Sequence, residues 1–82
     1  MTDQMLLNRI TMDRNVLVGK PVIKGTRLSV ECILNQLAHG ATTAELIEEY
    51  TGVTEEDIHA CLLFASRSLE STDFMPLATE MV

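Results

Sequence analysis

The stretch Gly19-Lys20-Pro21-Val22-Ile23-Lys24-Gly25-Thr26-Arg27-Leu28-Ser29-Val30 constrains this chain more than any other. Proline has no N–H to give a ladder, so Pro21 belongs at the start or edge of a strand, and Val22 and Ile23 behind it are strong strand formers. Lys24-Gly25 supplies a turn. Gly25 takes a positive φ without steric cost, which suits a tight hairpin returning through Thr26, Arg27 and Leu28. Ser29 is then a good helix N-cap. The stretch predicts a small sheet ahead of it and helices after it, an α+β architecture that is mainly α.

Upstream, residues 1–7 read as a flexible lead-in, and the alternation that sets Ile10 and Met12 on one face predicts a short strand. Asp13-Arg14-Asn15 signals a turn, and Val16-Leu17-Val18 an apolar link packing over the sheet. Three such short strands do not stand alone; they lean on helices or on another copy. Downstream, helices are expected over about 30–39, 43–51 and 55–69. Val30, Ile33, Leu34, Leu37 and Ala38 form the apolar stripe of the first, which Gly40 ends. Thr42 with Glu45 makes a capping box opening the second, whose inward positions are Ala44, Leu46, Ile47 and Tyr50. Thr54 with Asp57 opens the third. On it Ile58, Cys61, Leu62, Ala65 and Leu69 form one stripe, and Ala60, Leu63, Phe64 and Arg67 a neighbouring one. A helix apolar around so much of its circumference is covered on two sides, by its own core and by a second subunit or partner. The domain spans 8–70, and 71–82 is a tail offering a possible partner-binding segment.

A single domain of 82 residues buries only roughly 60% of the surface its unfolded chain exposes. Cys32 and Cys61 have no neighbouring cysteine or histidine in a disulfide or zinc spacing, so oligomerisation is the remaining common source of extra stability. No apolar run approaches the roughly 20 residues that span a bilayer, and a cytoplasmic location is expected. The net charge of −6 is unevenly spread. Residues 1–30 carry five cations against two acids, whereas from residue 31 onward Arg67 alone opposes ten acids. A polyanion suits the first end and a basic protein the second.

Arg9, Lys20, Lys24 and Arg27 are the candidate DNA contacts, gathered around glycine turns with accessible amides. The alternative is that they solvate the sheet or pair with the acidic helices. Two helices joined by Thr51-Gly52-Val53-Thr54 have the layout of a helix-turn-helix, but the head of the second carries Glu55, Glu56 and Asp57, which phosphates repel. Ala60, Leu63, Phe64 and Arg67, with Phe74, Met75 and Leu77 of the tail, are the candidate dimer or partner interface; the tail either lays its apolar anchors into a groove, folds back on the third helix, or stays disordered. His39 and His59 lack partners for catalysis or metal binding, and the cysteines read as buried small apolar side chains. Nothing is spaced for catalysis: a non-enzyme with no cofactor, metal or small-molecule substrate is expected.

The run from Gly19 to Val30, then Ile33-Leu34, Leu37 and Gly40, then Glu48-Glu49-Tyr50 and Thr54-Glu55-Glu56-Asp57-Ile58 with Ala60, closely resembles domain-of-unknown-function family 433 over residues 8–70. Thr51, Ser29 and Phe64-Ala65 stand where that family often has proline, proline and an alanine–tyrosine pair. The resemblance implies a homeodomain-like three-helix unit with an N-terminal β extension, used as a homodimer. It further implies an antitoxin of the VapB type, neutralising a toxin of the PIN ribonuclease class and repressing its own operon by binding operator DNA. The alternative is a dimeric adaptor that binds no nucleic acid.

Overall fold

The computed structural model describes residues 1–70. The expected tail anchors Phe74, Met75 and Leu77 lie outside the described residues. Two short strands, β1 (Ile10–Met12) and β2 (Pro21–Ile23), pair antiparallel with Ile10 opposite Ile23, Thr11 opposite Val22 and Met12 opposite Pro21. Proline thus stands at the start of its strand, where its missing N–H does least harm. The third strand expected around Thr26–Leu28 does not form as such. The chain turns at Ile23–Thr26, with Thr26 N donating to Ile23 O at 3.0 Å and Gly25 at φ +84, and returns only as an isolated bridge between Val22 and Ser29. Thr26 explains the difference: its hydroxyl donates to Ile23 O at 2.7 Å and accepts from Leu28 N at 3.0 Å, spending on the turn a backbone donor that a strand would give to a ladder.

Where a loose lead-in was expected there is a short helix, α1 (Asp3–Leu7), capped by Thr2, whose hydroxyl accepts from Met5 N. It lies against α4 (Glu55–Glu70), and Arg67 Nη2 donates to Asp3 Oδ2 at 2.7 Å. The link Val16–Val18 also departs from expectation. It leads into a 3-10 turn, Leu17–Gly19, in which Leu17 and Val18 both have positive φ and both face solvent.

The remaining helices follow their caps. α2 (Val30–Ala38) begins at Ser29, whose hydroxyl accepts from Cys32 N at 3.0 Å. α3 (Thr43–Glu49) opens on a complete capping box between Thr42 and Glu45. At the head of α4, Thr54 and Asp57 exchange the same reciprocal bonds. Ile23, Val30, Ile33, Leu46, Val53, Ile58 and Cys61 form the core, each large aliphatic contributing about 1.5–3 kcal/mol by leaving water. Ala44 and Ile47, expected inward, are exposed. With seven residues α3 makes only about two turns, and Leu46 with Tyr50 is all it turns inward.

Candidate functional site: an apolar groove and a divided basic edge

α4 has 16 residues and α2 has nine, so about 24 Å of helix runs beside about 14 Å. The shorter helix cannot cover the longer one. What remains is an open groove of about 750 Å3 between them, walled by Pro21, Val30, Leu34, Phe64, Ala65 and Leu69. Lys20 and Glu31 also line it, with Lys20 Nζ 3.0 Å from Glu31 Oε1. Leu69 is 65% exposed, and Leu62, one heptad before it on α4, is 47% exposed. They extend the apolar surface along the shoulder of the helix.

The expected interface residues fare differently. Phe64 lines the groove. Ala60 is fully buried inside the domain, so it does not reach a partner; it faces inward beside Cys61 and Asp57, which are also buried. Leu63 is half-buried and off the groove. Arg67 is held by Asp3 of α1 and lies 3.7 Å from Glu70 Oε2, so part of the stripe expected to meet a second subunit is met by the chain's own first helix. Leu34 packs against the core, as its stripe implies, and also lines the groove, whereas Leu69, on the stripe of Ile58 and Cys61, is exposed there and Ala65 half-buried. The signal that would have moved them outward is the mismatch in helix length.

The basic residues divide into two places. Lys20 and Lys24 flank β2 at opposite ends, four residues of extended chain or about 13 Å apart. Lys20 is bonded to Glu31, and Arg9 is bonded to Asp57 at 3.0 Å, the latter a carboxylate only 6% exposed. Lys24 and Arg27 are exposed, and among the described residues no ion pair engages either. Lys24 N donates to Arg9 O at 2.7 Å, and through Arg9 this end of the sheet is tied to the acidic head of α4.

A second polar cluster joins α2 to the end of α3. Gln36 Nε2 donates to Tyr50 OH at 2.7 Å and lies 3.2 Å from Cys32 Sγ. His39 Nδ1 is 2.7 Å from Asn35 O, and His59 is exposed on α4. Among the described residues no three His, Cys, Asp or Glu side chains gather as metal ligands, and no helix is long and apolar enough to cross a membrane.

Residues 10–65 match the family model described as "Protein of unknown function (DUF433)", a span taking in both strands, α2, α3 and most of α4. A search of curated proteins gives no match. Among solved structures, the chain is similar to a DUF433 member protein from Anabaena variabilis, a crystal structure at 2.00 Å resolution. The two share 33% identity and a TM-score of 0.72 over 85% of this chain and 69% of that one. By sequence and by fold together, this chain belongs to the DUF433 family.

Proposed function

We propose that this protein acts by binding rather than catalysis, as an antitoxin-type protein that holds a cognate ribonuclease toxin in the cytoplasm. The supporting observation is the groove with its Leu62–Leu69 shoulder: a small domain leaves this much apolar surface in water where a protein partner covers it. Co-expression with the product of the adjacent gene tests the reading. Copurification and relief of that product's toxicity support it; a neighbour that neither binds nor loses toxicity removes it. In the same reading Lys24 and Arg27 contact operator DNA. Lys24→Glu with Arg27→Glu should then abolish a salt-sensitive gel shift, and an unchanged shift would exclude this turn as the DNA surface.

The second reading, a dimeric adaptor that binds no nucleic acid, is favoured by the ion pairs of Arg9 with Asp57 and Lys20 with Glu31, which engage two of the four candidate DNA contacts. A negative gel shift at low salt, with a stable dimer in light scattering, would select it.

A further inference from the structure

The groove and the end of α4 share one place in the fold. Ser68 and Leu69, in the last turn of α4, line the groove, and α4 closes at Glu70. The chain that follows therefore starts at the groove's own wall. Phe64, the lining residue of α4 farthest from Glu70, lies about 9 Å back along the helix axis. Extended chain from Glu70 reaches about 13 Å by Phe74 and about 23 Å by Leu77, so both come within range of the whole α4 wall.

The sequence beyond Glu70 suits a return to that wall. Ser71-Thr72-Asp73 is turn chemistry, and Pro76 disfavours helical backbone at Met75, which steers the chain away from prolonging α4 along its axis. Phe74, Met75 and Leu77 then offer large apolar side chains to a groove walled by Pro21, Val30, Leu34 and Phe64. Charge agrees with this. Asp73 and Glu80 are the charged side chains of residues 71–82, and Lys20 is the cation among the described residues that line the groove. Its pair with Glu31 joins two exposed side chains, a weak contact that leaves the ammonium able to take a second carboxylate. Attachment favours this occupant over one arriving from outside, because a segment joined to the wall by a few residues is present at an effective concentration on the order of millimolar.

We propose that Phe74, Met75 and Leu77 fill the groove between α2 and α4 of their own chain, as an internal cover that a protein partner must displace to bind there. This goes beyond the antitoxin reading and does not rest on it, since the cover forms in the protein alone.

The chain has no tryptophan, so Phe74→Trp in the full chain reports on this segment alone. Its emission should lie at shorter wavelength than that of tryptophan in water, resist quenching by acrylamide, and stay the same on dilution. Adding Leu69→Ser and Ala65→Glu, which strip and block the α4 wall, should return the emission to the solvent-exposed position with helical circular dichroism retained. An emission at the solvent-exposed position from the start, or one that the wall changes leave as it was, would overturn the proposal. So would a shift lost on dilution, which would seat the segment in a second copy. A dye that fluoresces on apolar surface gives a reading that leaves the wall untouched: Phe74→Asp with Leu77→Asp should bind more of it than the wild type, and equal binding would also overturn the proposal. These measurements use the protein alone, so their failure leaves toxin neutralisation standing, and failed neutralisation leaves the cover standing.

Discussion

Arg9 Nη1 lies 3.0 Å from Asp57 Oδ1, joining the residue before β1 to the first turn of α4 across 48 positions of sequence. The other carboxylate oxygen accepts from Thr54 N at 3.0 Å. One buried side chain thus closes the head of the longest helix and fastens the sheet to it. The carboxylate is also favourably placed at the positive end of the helix dipole.

Asp57→Ala removes both roles and should cost about 2–3 kcal/mol in urea unfolding. Arg9→Ala should cost less, about 1–2 kcal/mol, because the guanidinium is one-third exposed and the carboxylate keeps its bond from Thr54. If Arg9→Ala proves as stable as wild type, the pair is a surface contact and not the fastening of the sheet.

Tyr50 ends α3 with its hydroxyl accepting from Gln36 at 2.7 Å. Tyr50→Phe keeps the ring in the core and leaves the half-buried amide with the weaker Cys32 sulfur acceptor. A loss of about 1 kcal/mol in chemical denaturation is expected. No change would mean that water replaces the hydroxyl.

Legibility in the sequence followed the range of the interaction. Ser29, Thr42 and Thr54 announce their helices because a cap acts within three residues, and Pro21 marks the start of its strand, whereas the hairpin expected at Gly25 returns only as an isolated bridge. Arg9 read either as a DNA contact or as a partner of the acidic helices, and nothing local in the sequence singles out Asp57 as that partner. Leu17 and Val18 read as packed because hydrophobicity carries no information about the sign of φ. The groove was illegible for a third reason: Leu34, Ala65 and Leu69 do lie at core spacing, and only the relative lengths and placement of α2 and α4 leave Leu69 exposed and the other two half-buried along an open groove.

Gly25 turns the chain at φ +84, and a Cβ built there meets no atom within 4 Å. Substitution is therefore purely conformational in cost. Gly25→Ala should destabilise by about 1 kcal/mol or more and Gly25→Asn by less, since asparagine tolerates the left-handed region. Equal losses in thermal melts of the two variants would point to a steric clash instead.

Cys61 is fully buried beside the core, and that burial, with the Asp57 carboxylate one turn away as the lesser cause, pushes its thiol from 9.0 up to about 12. In the unfolded chain the thiol ionises near its ordinary value, while in the folded chain it stays protonated. Its contribution to stability is complete below pH 9 and is lost as pH climbs from 9 towards 12, because the unfolded state alone releases the proton over that window. Urea midpoints should therefore fall between pH 8 and pH 10.5, and Cys61→Ala should flatten that fall while lowering stability at every pH by leaving a small cavity. Thiol titration adds an independent reading. At pH 8 a disulfide reagent should modify the half-buried Cys32 first and reach Cys61 only as fast as the domain opens, so equal rates at the two cysteines would place Cys61 outside the core.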